Sequence, residues 1–163
     1  MTETVTFDLT VNGKAYSCNV EPRKTLVDTI REDCDLTGTH IGCEHGVCGS
    51  CTVLLDGKPI RSCLMFAVQA QGKEIRTVES LSEDGELSLL QQAFMEHHAL
   101  QCGFCTPGFL MLLTGALEDN PNLTEEEIVS LVSSNLCRCT GYRGIVDATR
   151  SVVEQMRVIE VTR

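Results

Sequence analysis

Cys43-Glu-His-Gly-Val-Cys48-Gly-Ser-Cys51-Thr-Val decides how this chain is read, because it puts three thiols within nine residues. Thiols that close together on one strand of backbone can surround a compact centre only if the chain wraps it tightly. Gly42, Gly46 and Gly49 remove the side chains that would block such a wrap and permit its dihedrals. A run so rich in Gly, Cys and His has neither helical nor strand periodicity, so residues 34–51 read as a loop.

Working outward, the first half reads as strands. Val5, Phe7, Leu9 and Val11 alternate with polar residues, and Asn12-Gly13 then signals a two-residue hairpin. Tyr16, Cys18 and Val20 form the return strand. Thr25 caps a helix to Asp33 with Leu26, Val27 and Ile30 on one face. Thr52–Leu55 is a strand, Asp56-Gly57 a turn, Lys58–Cys63 its partner, and Glu74–Val78 a last strand. Ser82-Glu-Asp-Gly85 is a polar break. Beyond it helical periodicity takes over in Leu87–His98, Pro107–Leu117, Glu125–Ser134 and Gly144–Val158, with Thr124 and Glu127 spaced as a capping box. Pro107 suits a first turn, and Asn120-Pro121 ends that helix.

The whole-chain numbers bound what this can do. The chain has 163 residues, 42% hydrophobic and 22% charged, an ordinary folded composition. A formal net charge of −10 makes phosphate backbones and anionic membrane faces poor partners. Aromatic residues are 4% with no Trp, which argues against a base-stacking surface and nucleic acid. No apolar run approaches the roughly 18–20 residues of a membrane span, and Met1-Thr2-Glu3-Thr4 does not resemble a secretory leader. Ten cysteines in this setting point to metal rather than disulfides, and to the cytoplasm.

Eight of the ten fall into two quartets. Cys43, Cys48, Cys51 and Cys63 are spaced Cys-x4-Cys-x2-Cys-x11-Cys, and the first three match plant-type [2Fe–2S] spacing. Cys102-x2-Cys105 and Cys137-x-Cys139 flank predicted helices, where free N–H groups favour thiolate. Zinc knuckles are a poorer match to the first spacing. Dithiol redox pairs at Cys48/Cys51 or Cys102/Cys105 lack the βαβ setting. A Rieske centre needs a later Cys-x2-His, which is absent, leaving His45 as a loop side chain. Cys18 reads as a core residue, and Cys34 receives no role. Glu125-Glu126-Glu127 reads as first-turn dipole complementation and His97-His98 as a solvated helix end. Arg138 and Arg143 either offset cluster charge or reach solvent or an acid.

The first motif, with Gln101-Cys102-Gly-Phe-Cys105-Thr-Pro-Gly108 and Asn135-Leu-Cys137-Arg-Cys139-Thr-Gly-Tyr142, resembles the iron–sulfur (small) subunit of molybdenum hydroxylases. This is the xanthine oxidase family, with carbon monoxide dehydrogenase and quinoline 2-oxidoreductase among its members, and the resemblance runs from about Val5 to Val153. It implies an α+β fold: an N-terminal plant-ferredoxin-like β-grasp domain, 1–80, then a C-terminal four-helix-bundle [2Fe–2S] domain, 81–163. Cys43, Cys48, Cys51 and Cys63 would hold a flavin-side cluster, and Cys102, Cys105, Cys137 and Cys139 a molybdenum-side one. Gln101 and Cys139 would lie beside molybdopterin on a partner. The implied partners are a large molybdopterin-binding subunit and a medium FAD-binding subunit, in a heterotrimer or dimer of heterotrimers. Electrons would pass from molybdenum through both clusters to FAD, with the substrate, an N-heteroaromatic compound or aldehyde, oxidised elsewhere and no catalytic residue on this chain. The rivals are a free-standing two-cluster ferredoxin and a zinc-binding adaptor.

Overall fold

The alternating first strand and the Asn12-Gly13 turn fold as the sequence predicts. In the computed structural model, which describes residues 3–161 except Glu83, β1 (Val5–Val11) and β2 (Lys14–Val20) pair antiparallel with Val11 opposite Lys14. Asn12 and Gly13 both take positive φ, +53° and +73°, the left-handed pair that matches strand twist in a two-residue hairpin. Thr25 caps α1 (Leu26–Glu32), its hydroxyl accepting the Asp28 N–H at 3.2 Å. A second hairpin of the same chemistry, Asp56-Gly57, joins β3 (Thr52–Leu55) to β4 (Lys58–Arg61). β5 (Glu74–Arg76) completes a mixed sheet in the order β2-β1-β5-β3-β4, parallel only between β1 and β5.

Two predicted strand ends move. β4 stops at Arg61, and Ser62–Leu64 turns as a 3-10 helix because the Ser62 N–H and hydroxyl both donate to the Cys51 carbonyl, at 3.3 and 2.6 Å. β5 stops at Arg76 because the Thr77 N–H is taken by the Asn12 side-chain oxygen at 2.8 Å. The helices follow: α2 (Leu89–Glu96), α3 (Thr106–Asp119), α4 (Glu125–Ser133) and α5 (Arg143–Val161). α2 begins two residues later than periodicity suggests, since Ser88 and Gln91 form a capping box there. Thr124 and Glu127 form the one the sequence predicts. The predicted break at Ser82–Gly85 includes Glu83, which lies outside the described residues.

The architecture is α+β, with two apolar cores. Phe7, Leu9, Val11, Ile30, Val53 and Ile75 close the first, between one face of the sheet and α1. Phe94, Phe109, Leu113, Ile128, Ile145 and Val152 centre the second, among the helices. β3 serves both, since Val53 enters the first core and the adjacent Leu54 the second, each fully buried. α3 lies against the sheet at Gly115, where a Cβ would come within 2.7 Å of Leu54. Arg76 of β5 grips Glu118 of α3 through both carboxylate oxygens, at 2.9 and 2.8 Å. The helices are therefore bolted to the strand carrying one end of the cysteine loop.

Candidate metal centres

Sheet register assembles the first quartet. Thr52 faces Arg61 across β3 and β4, so Cys51 and the turn holding Cys63 come together at the strand ends. Both are buried, packed with Val27 of α1 and Ile41. Their thiols share a hydrogen bond, and burial, then the Cys51 thiol, push Cys63 up to about 12. Cys43 and Cys48 form the outer, half-buried pair. Cys43 Sγ accepts the Cys48 N–H at 3.3 Å. The Cys48 amide first, then those of His45 and Val47, hold the Cys43 thiol at about 6, so this sulfur is presented as thiolate.

The second quartet comes from two separate connections. Cys102 and Cys105 precede α3, while Cys137 and Cys139 lie between α4 and α5. Here too the thiols meet two by two: Cys139 Sγ lies 3.5 Å from Cys102 Sγ, and Cys105 is hydrogen-bonded to Cys137. Burial, then the Cys137 thiol, push Cys105 up to about 12. Burial raises Cys137 as well, but hydrogen bonds from the hydroxyl and amide of Thr140, the Cys139 amide and the Cys105 thiol together outweigh it and leave the thiol below its ordinary value. Cys102 and Cys139 are exposed, and the hydrogen bond to Cys102 raises the Cys139 thiol. Gln101 is exposed beside that contact.

This donor arrangement fits a dinuclear centre. Each quartet offers two thiol pairs, the set that two bridged irons require, one pair each. A single zinc ion would instead need its four ligands converging on one point. Cys18 and Cys34 stand apart, buried in the first core. Arg143 pairs with Asp147 at 2.8 Å, and Glu125 with Arg150, so these charges serve helices rather than metal.

The two quartets are stitched together. The Leu136 N–H donates to the Cys48 carbonyl at 2.9 Å, so one hydrogen bond separates residues adjoining Cys137 from a residue of the other quartet. Arg61 donates to Asn135 Oδ1 at 2.8 Å, to the Ser134 carbonyl at 3.0 Å and to the Thr52 hydroxyl. Gly49 packs so closely on Asn135 that a Cβ there would lie 2.1 Å from Oδ1, and one on Gly108 would lie 2.2 Å from the Gly49 carbonyl. His40 Nδ1–H donates to the Phe104 carbonyl at 2.8 Å, with the rings stacked 4.9 Å apart. Sequence reasoning gave Arg61, Asn135, His40 and Thr140 no role, although Asn135 and Thr140 stand inside a motif that carries the family resemblance. Of the four, Thr140 alone, a hydroxyl adjacent to a Cys-x-Cys pair, carried a chemical signal in its neighbouring residues.

Two family descriptions match the chain in tandem. One, the 2Fe-2S iron-sulfur cluster binding domain, covers residues 9–82, and the other, the [2Fe-2S] binding domain, covers 77–150. The chain is 58% identical over 144 residues to the nicotine 6-hydroxylase small subunit of Paenarthrobacter nicotinovorans, spanning 88% of this chain and 87% of that one. It is 58% identical over 147 residues to caffeine dehydrogenase subunit gamma of Pseudomonas sp. strain CBB1, spanning 88% of each. The crystal structure of quinoline 2-oxidoreductase from Pseudomonas putida 86 contains a chain that superposes with a TM-score of 0.89 at 52% identity, covering 94% of this chain and 96% of that one.

Proposed function

Because this chain belongs to the iron–sulfur small subunits of the molybdenum hydroxylases, the xanthine oxidase family, we propose that its two cysteine quartets are the ligand sets of two [2Fe–2S] clusters. Cys43, Cys48, Cys51 and Cys63 hold the flavin-side cluster, and Cys102, Cys105, Cys137 and Cys139 the molybdenum-side one. The observation that carries this is the split of each quartet into two thiol pairs, joined across the molecule by the Leu136–Cys48 hydrogen bond. When bound, such clusters supply reversible one-electron uptake and release, the chemistry of a relay between a molybdenum centre and FAD on other subunits.

The chain's own residues bind, orient and shield. Backbone amides at Cys43 and the Thr140 hydroxyl and amide at Cys137 offset negative charge on sulfur. Val27 and Ile41 keep water from the inner pair of the first quartet. We draw the boundary between a ferredoxin-like domain, 1–80, and a four-helix domain, 81–163, in keeping with the two cores.

Exposed apolar side chains support partners over a free-standing carrier. Val47, Leu64 and Phe66 lie along the segments that carry the first quartet, and Leu100, Phe104 and Leu136 along those of the second, each 40–63% exposed. A diffusing protein rarely leaves such side chains uncovered beside its redox sites. The partners are a large molybdopterin-binding subunit, which Gln101 and Cys139 face, and a medium FAD-binding subunit, in a heterotrimer or a dimer of them. The names of the relatives, nicotine, caffeine and quinoline, are all N-heterocycles, and an N-heteroaromatic substrate on the large subunit follows by analogy. Ten free cysteines suit the reducing cytoplasm. No helix among the described residues is long and apolar enough to cross a membrane.

Metal and labile-sulfide analysis of the purified complex tests the assignment. We expect about four iron and four sulfide per chain, the count for two [2Fe–2S] centres, with two distinct EPR signals on reduction. Zinc without labile sulfide, or a single signal with half the iron, overturns it.

A further inference from the structure

Among the described residues, Thr140 gives its hydroxyl to a cysteine sulfur of the second quartet while its oxygen accepts a hydrogen bond from elsewhere. Its oxygen accepts the Tyr142 N–H at 3.2 Å, which turns the O–H toward Cys137 Sγ, 3.1 Å away. The Thr140 N–H reaches the same sulfur at 3.4 Å. Tyr142, held at a φ of +69°, folds its ring back so that its phenol oxygen accepts the Cys137 N–H at 3.1 Å. Cys137, Thr140 and Tyr142 thus form a closed ring of hydrogen bonds with a single sulfur as the final acceptor. At the first quartet, by contrast, Cys43 Sγ accepts from a backbone N–H, which no substitution of a side chain can withdraw.

We propose that Thr140 is a potential-setting residue of the second quartet: its hydroxyl, by donating to Cys137 Sγ, raises the reduction potential of the cluster held there. The proposal rests on the assignment of Cys137 as a ligand. On reduction one electron enters, no bond is made or broken and no proton need move, so the added negative charge is spread over the sulfurs. A dipole whose positive end points at sulfur stabilises the more negative state more strongly, and a charge-assisted hydrogen bond is about twice as strong as a neutral one. Its removal selectively disfavours the reduced form. Thr140 acts through Cys137 and is a positioning residue, not a catalytic one.

The test is an EPR-monitored redox titration of the purified complex with Thr140→Val, which keeps the shape and loses the hydroxyl, and Thr140→Ser, which restores it. The second-quartet signal is identified as the one lost in Cys137→Ala. At a fixed ambient potential Thr140→Val should lower the reduced-to-oxidised ratio of that signal about tenfold, a downward midpoint shift of about 59 mV for one electron. The other signal should keep its midpoint, iron should stay at about four per chain, and Thr140→Ser should return the wild-type value. An unmoved midpoint in Thr140→Val with both signals present overturns the proposal, as does a Thr140→Ser that behaves like Thr140→Val. If Thr140→Val does not load its cluster, Thr140→Ala takes its place under the same criteria. Failure of the ligand assignment reads differently, as missing iron or a missing signal in the wild-type complex.

Discussion

The two quartets reach the same ligand set by different means. The first takes three thiols from one loop and the fourth from a turn that strand pairing delivers, because Thr52 opposite Arg61 leaves Cys63 nowhere else to go. Its inner pair is buried, and Cys43 of its outer pair is met by backbone amides. The second takes two thiols from each of two connections about 30 residues apart in sequence, and its outer pair is exposed. What holds it together is the packing of α3, α4 and α5 on the second core. The first cradle is thus specified mostly by local sequence and the second by tertiary structure, a difference that substitutions can probe.

The largest effect comes from removing ligands. Cys63→Ala should abolish the first cluster and Cys102→Ala the second, each taking iron from about four to about two and leaving the other EPR signal in place. If Cys63→Ala also empties the second quartet while Cys102→Ala spares the first, the helical cradle depends on the sheet-borne one. If each removes both signals, the separation into two cradles fails.

A smaller effect is expected where the cradles touch. Gly49 sits at a φ of +76°, and its nearest neighbour is Asn135 of the other loop. Gly49→Ala adds left-handed strain and a clash, costing about 2–5 kcal/mol by chemical denaturation. Asn135→Ala removes the clashing amide but also the Arg61 and Gly49 contacts. In a double-mutant cycle the pair should cost less than the sum of the single variants. Strict additivity would mean that the close approach between the loops is not what makes glycine necessary at 49.

How much of this was legible follows the same division. Alternation in Val5–Val11, the Asn12-Gly13 turn and the Thr25 cap are local rules, and the structure obeys them. The helices were visible because their apolar faces recur every three to four residues. The ends of β4 and β5 were not, because each is set by a partner distant in sequence, Cys51 for Ser62 and Asn12 for Thr77. The cysteine spacings pointed to clusters, but the pairing within each quartet is a tertiary fact. The contact between Arg61 and Asn135 was invisible for the same reason: an Arg at the end of a strand and an Asn after a helix are ordinary until the fold brings them within 2.8 Å.

The smallest expected effect concerns an ion-pair pin on the second cradle. Arg150 of α5 bonds Glu125 of α4 and Asp147 of its own helix, tying together the two helices between which Cys137 and Cys139 are carried. The Arg150 guanidinium holds the Glu125 carboxyl below its usual value, and Arg143, then Arg150, do the same for Asp147. A carboxyl lowered in the folded state adds stability that is present above its unfolded pKa, about 4, and is lost as pH falls through the lower folded value. Arg150→Met should therefore lower the melting temperature of the complex slightly at neutral pH, and the gap from wild type should close in acid. Added salt should narrow it too, because these charges face solvent. If the pin matters to one cradle only, the second EPR signal should broaden or lose intensity on heating before the first. A gap that widens as pH falls, or a first signal that fails earlier, would mean that helix pairing is not what separates the two cradles.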